Sequence, residues 1–162
     1  MCKVGVAERL RIRRNTSEDI LLRWEEECSL RLQNSCDGRI VISCGVNDTV
    51  IENERLRVSF EESVENIRKI LKGAKKYNVI MLGPPPIDDD THNKRIKAIS
   101  EAYENEANLL NVPFIELYSS LTIDNAYKKE ISENDGAHPK SNGYKKISGI
   151  VGSSPHWWFN EP

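Results

Sequence analysis

The sequence predicts an α/β fold, a parallel sheet with helices packed on both faces. Three observations carry this. Helix-period and strand-like segments alternate along the chain. The strand-like segments are short, apolar and rich in β-branched residues, as in sheets covered on both sides. The helical segments open on capping signals. A chain of 162 residues suits a single domain over 1–162, with a core that needs no metal or disulfide to hold it.

The first helix is signalled by Thr16-Ser17-Glu18-Asp19, a hydroxyl with a carboxylate three residues on. Ile20, Leu21, Trp24 and Cys28 then recur at helical spacing, which carries the helix to about Gln33. Residues 34–38 form a turn cluster. Arg39–Cys44 reads as a strand buried on both faces. Ser59 and Glu62 make a second capping box, and Phe60, Val64, Ile67 and Leu71 mark the inner face of the next helix. Lys72–Lys76 supplies a basic C-terminal turn that suits the helix dipole. Asn78–Leu82 is the next strand, closed by Gly83-Pro84-Pro85-Pro86. A third helix runs from near Thr91 to about Leu110, with Ile96, Ile99, Ala102 and Tyr103 inward. Pro113–Leu117 is a third strand. A last helix starts around Ser141 and carries Tyr144, Ile147 and Val151. The closing Trp157-Trp158-Phe159 is expected to pack on the body of the domain or on a partner chain, with a membrane-touching patch as the alternative.

Composition excludes several functions. Lys plus Arg is 23 against 25 Asp plus Glu, a net charge of −2, so nothing favours nucleic acid or an anionic membrane as partner. No apolar run reaches the ~18 residues of a transmembrane helix. The N-terminus is too charged, and its apolar part too short, for a signal peptide. Four cysteines, Cys2, Cys28, Cys36 and Cys44, form no Cys-x-x-Cys pair and read as small buried hydrophobes. They point to a reducing, cytoplasmic setting, with a Cys28–Cys36 bridge left open. Asp88-Asp89-Asp90 reads as a solvated loop, with divalent-cation binding as the alternative.

In a sheet of this kind, sites lie at the carboxyl ends of the strands. That gathers the loops after Cys44, Leu82 and Leu117. The first holds Gly45-Val46-Asn47-Asp48, where a glycine permits a tight exit and an Asn amide can donate to a developing oxyanion. Asp135-Gly136-Ala137-His138-Pro139 enters the last helix. An Asp three residues before a His can hold one imidazole nitrogen and leave the other as a general base.

Together these motifs resemble the SGNH hydrolases, the GDSL lipase/esterase family, over roughly Asn15 to Val151. Gly-x-Asn-Asp after a strand is similar to that family's third block, and Asp-x-x-His-Pro to its fifth. The resemblance implies a flavodoxin-like three-layer α/β/α sandwich and cofactor-free, metal-free hydrolysis of a small-molecule ester through a Ser–His–Asp triad. It makes His138 the base, Asp135 its orienting partner and Asn47 the side-chain oxyanion donor. Asp48 then stabilises the loop, and Gly45, Val46, Pro84 and Pro85 line the substrate cleft.

The same resemblance exposes a departure. The family's nucleophile is the Ser of a Gly-Asp-Ser motif after the first strand, and no Gly-Asp-Ser occurs among the 162 residues. The block that would hold it falls upstream of residue 1, so the chain reads as truncated relative to the family and inactive as it stands. The family's second oxyanion donor is a glycine N–H, and Arg11 occupies that place. Ser17 is expected in a helix cap, Ser43 in the packing of its strand, and Ser119, Ser120 and Ser141 outside any nucleophile motif. Without the first strand, which is central in flavodoxin-like order, the strand at 39–44 would keep an apolar edge that invites self-association. Lys3–Glu8, with Val4 and Val6 alternating, is a candidate to fill that gap. Two other functions compete with esterase: a non-catalytic pseudoenzyme holding an ester-like ligand in the same cleft, and a receiver-like domain with Asp88–Asp90 as its acidic pocket.

Overall fold

Helix α1 (Ser17–Arg31) begins at the capping box the sequence announces. Thr16 is extended, its hydroxyl accepts from Asp19 N, and the Asp19 carboxylate accepts from Thr16 N at 2.8 Å. The computed structural model describes residues 12–32 and 37–159. Strand β1 (Arg39–Ser43) follows, then a small antiparallel hairpin of β2 (Ile51–Glu52) and β3 (Arg55–Leu56). The hairpin turns through Asn53 and Glu54, both left-handed with φ of 50° and 64°, the twist that two-residue hairpin turns favour.

Helix α2 (Phe60–Ala74) starts at the Ser59–Glu62 capping box. Strand β4 (Asn78–Leu82) leads into α3 (Asp90–Leu109), whose cap is Asp89, accepting from His92 N at 2.8 Å. After β5 (Phe114–Ile115) come α4 (Tyr118–Thr122), α5 (Asn125–Ser132) and α6 (Ser141–Ser153).

The main sheet has the order β1-β4-β5, all parallel, with register from Arg39↔Asn78 to Ser43↔Leu82 and from Met81↔Phe114 to Leu82↔Ile115. Alternate residues of β4 feed two cores, as strand geometry requires. Val79 and Met81 pack with Ile42, Ile67, Leu71, Ile99 and Tyr103 beneath α1, α2 and α3. Ile80 packs with Ile115, Leu121, Tyr127 and Ile131 on the side of α4, α5 and α6. The result is a three-layer α/β/α arrangement.

Several expectations are corrected. β1 is not buried on both faces: Ile42 is buried, but Val41 is 41% exposed and Ser43 is exposed. The reason is topological. Among the described residues β1 is an edge strand, paired with β4 alone. Lys3–Glu8, the candidate to pair beside it, lies outside the described residues. The third strand is two residues long, because the Glu116 carboxylate accepts from Ser119 N at 2.9 Å and turns the chain into α4. Phe60, in the first turn of α2, is exposed. Cys28 is a buried free thiol and Cys44 is also free; Cys36, the other half of the bridge left open, lies outside the described residues.

Trp157 and Trp158 pack against the second core, while Phe159 stays 68% exposed. The Arg39 guanidinium sits 5.9 Å from the Trp158 ring centre and 5.2 Å from that of Phe159. No helix among the described residues is long and apolar enough to cross a membrane.

Candidate active site

The chain leaves β1 through Gly45, at a φ of +115°, where a Cβ would stand 2.9 Å from the Tyr103 ring and 3.4 Å from Pro84. Only glycine makes that exit without strain. The loop that follows is anchored by a fully buried carboxylate, Asp48. One Asp48 oxygen accepts from Ser17 N at 2.8 Å, at the start of α1. The other accepts from the hydroxyls of Ser63 on α2 and Tyr103 on α3. One side chain thus ties the loop to three helices. Burial, with Cys44 and Asp48 close by, holds the Tyr103 phenol well above its usual range, so it stays a donor.

The next residue adds a second tether. Thr49 Oγ1 lies 2.8 Å from His92 Nε2 and 2.9 Å from the Val46 carbonyl, while Arg95 Nε donates to the Thr49 carbonyl at 3.0 Å. His92 is buried, and the loss of solvation lowers its pKa. Between these tethers Asn47 is held by its own amide, which donates from Nδ2 to the Asn15 carbonyl at 2.9 Å. That nitrogen carries a second hydrogen available to a ligand.

The histidine loop is equally constrained. Asp135 Oδ1 accepts from His138 N at 2.7 Å and Ala137 N at 3.1 Å. Its other oxygen lies 2.8 Å from His138 Nδ1. Donation from the His138 backbone, reinforced by the His138 ring and by Ala137 N, lowers the Asp135 pKa to about 2. Gly136 turns the loop at a φ of +78°, its N–H donating to Ile131 and its carbonyl accepting from Asp88 N at 2.7 Å. Pro139 packs on Gly143, where a Cβ would sit 2.3 Å from the Pro139 Cβ. The α6 N-terminus has no side-chain cap of its own. Glu130 of α5 serves instead, accepting from Gly143 N at 2.7 Å and Asn142 N at 3.2 Å.

Both loops open on one cleft of about 720 Å³, lined by Gly45, Val46, Asn47, Pro85, Ala137 and His138 among others. This size is typical of small-molecule sites. Pro84 is corrected: it is buried against Gly45 rather than facing the cleft. Ser43 is also corrected: it is exposed, and it lines the cleft. It lies on the face of β1 opposite Ile42. Arg11 lies outside the described residues. Asp89 is spent on the α3 cap, and no cluster of metal-ligating side chains occurs among the described residues.

His92, Thr49 and Glu130 were not singled out from the sequence. His92 carried a signal, three residues after a capping Asp at a helix start. Glu130 carried none, because its partners are backbone N–H groups.

Residues 3–146 match the GDSL-like lipase/acylhydrolase family. The chain belongs to this family. Solved structures agree. A lipase/acylhydrolase from Enterococcus faecalis is 25% identical, with a TM-score of 0.67 over 85% of this chain and 69% of that one. A GDSL-like lipase from Bacteroides thetaiotaomicron is 22% identical, with a TM-score of 0.68 and the same coverage. A catalytic mutant of an acetylxylan esterase from Geobacillus stearothermophilus is 17% identical, with a TM-score of 0.66 over 85% of this chain and 66% of that one. The last two speak for the fold alone. No curated protein matches the chain. In this GDSL-like chain the described strands of the main sheet run in the order β1-β4-β5, all parallel.

Proposed function

We propose that this GDSL-like domain is built for small carboxylic esters, with His138 as base, Asp135 as its orienting group and Asn47 as oxyanion donor. The 162 residues supply no nucleophile in the family's motif. The observation that carries the reading is the Asp135–His138 pair, 2.8 Å apart, on the same cleft as Asn47. In the full reaction a serine hydroxyl attacks the ester carbonyl while His138 takes its proton. Asp135 stabilises the imidazolium without being protonated itself. The Asn47 amide then meets the negative oxygen of the tetrahedral intermediate, in place of water that would have to reorganise.

With no serine in place, the cleft binds an ester and polarises it, and His138 has no hydroxyl to activate. Loss of a triad member in such enzymes leaves roughly 10³–10⁴-fold over water, from the oxyanion hole and binding. The alternative, a pseudoenzyme holding an ester-like ligand, draws on that same absence. A fluorophosphonate, which bonds covalently to activated serine oxygens with loss of fluoride, separates these readings from an unrecognised enzyme. Mass spectrometry is expected to find no labelled residue. Stoichiometric label on Ser43, the serine exposed in the cleft, would reveal a relocated nucleophile and overturn the reading.

A further inference from the structure

We infer that His92, acting through Thr49, is a positioning residue for Asn47: the pair holds the Val46–Asn47 peptide and so aims the oxyanion donor. The inference rests on the ester reading, in which the Asn47 amide meets the oxyanion. The loop after β1 is a tight turn whose own N–H groups are spent elsewhere. Asp48 N and Thr49 N donate to the Gly45 carbonyl at 3.1 and 3.4 Å, and Val50 N donates to that of Asn47 at 3.4 Å. The Val46 carbonyl is taken by a side chain instead, the Thr49 hydroxyl, at 2.9 Å. That carbonyl and Asn47 N share one rigid peptide plane. Whatever fixes the carbonyl therefore fixes where the Asn47 side chain departs. The Asn15 carbonyl then holds the far end of that side chain, at Nδ2.

Proton counting gives each bond its direction. A hydroxyl has one hydrogen, and a carbonyl can only accept. Were Thr49 to give its hydrogen to His92, its oxygen would face the Val46 oxygen at 2.9 Å with no hydrogen between them. The hydrogen therefore goes to Val46, and Thr49 Oγ1 accepts from His92 Nε2 at 2.8 Å. This assigns the Nε2–H tautomer to His92. Burial, helped by Arg95 and opposed by Asp89 and the Val46 carbonyl, lowers the His92 pKa and favours the neutral ring. His92 is itself fixed in the first turn of α3, where its N–H donates to Asp89 Oδ1 at 2.8 Å. Arg95, one turn on, holds the Thr49 carbonyl at 3.0 Å. The same helix buries Ile96, Ile99 and Tyr103, so the loop takes its position from a rigid element. His92 and Thr49 are both buried, and they act on the cleft through Val46 and Asn47, which line it.

NMR of the full chain tests this. Long-range proton–nitrogen correlations are expected to show Nε2 of His92 as the protonated ring nitrogen and Nδ1 as the bare one. The reverse assignment would overturn the inference. The Asn47 side-chain amide, identified by its disappearance in Asn47→Asp, gives the positional readout. Its two proton signals are expected to shift in His92→Leu and to return to the parent's positions in His92→Gln, whose amide can again donate to Thr49. Thr49→Val, close in shape to the parent, is expected to shift them as His92→Leu does, and Thr49→Ser to restore them. This second pair decides the matter if His92→Leu does not fold. A role confined to stability would lower Tm in the variants and leave the Asn47 signals in place, and that result would overturn the inference. Butyrate, whose carboxylate stands in for the oxyanion, tests the ester reading separately. An Asn47 amide that does not respond to it would count against that reading, while the ligand-free spectra still decide the role of His92.

Discussion

Gly143 has no room for a side chain, because a Cβ would lie 2.3 Å from that of Pro139. Gly143→Ala is expected to cost about 1–3 kcal/mol, read as a lower Tm. It is also expected to disturb the adjacent His138 loop, read in the NMR signals of the His138 ring. Asp135 makes a second prediction. Its carboxyl titrates near pH 2 in the folded chain, against about 3.9 unfolded. The folded value is depressed, so its contribution to stability is complete above about pH 4. It is lost as pH falls through 2. A carbon NMR titration is expected to find that low midpoint, and to find it raised in His138→Ala, where ring donation is gone. At this scale the sequence was informative where partners are three residues apart, as in Asp135 and His138. It was silent where they come from separate helices: Asp48 draws on Ser17, Ser63 and Tyr103.

At the level of elements, the helices with capping boxes were legible because side-chain and backbone signals coincide. Thr16→Ala is expected to cost about 1 kcal/mol and to loosen the start of α1, where Ser17 N meets Asp48. Between α2 and α3, Arg68 donates to both oxygens of Glu106 at 2.7 and 2.8 Å. The guanidinium's donation lowers the Glu106 pKa. Glu106→Gln is expected to lower Tm at neutral pH. The difference from the parent should shrink as pH falls through the depressed Glu106 pKa, where the parent's carboxylate is also neutral. The missed elements share a physical cause. β2 and β3 are two residues each, and their turn is Asn-Glu rather than Asn-Gly. α4 is one short turn. α5 did carry a signal, Asp124 at its cap and Tyr127 and Ile131 buried on one face. β1 misled for another reason: its composition is that of a central strand, yet among the described residues it pairs with β4 alone.

For the whole molecule, strand–helix alternation was enough to give the layers, and the two motifs were enough to give the cleft, since parallel topology collects loops at one end of the sheet. What topology alone does not supply is the group that attacks. We propose that the cleft is arranged for ester chemistry and that no hydroxyl among these 162 residues serves His138 as nucleophile. Hydrolysis of p-nitrophenyl acetate by the chain and by His138→Ala tests this most directly. The same low rate is expected for both. A rate in the parent chain that falls about 10²-fold or more in His138→Ala, as loss of a working general base produces, would contradict it.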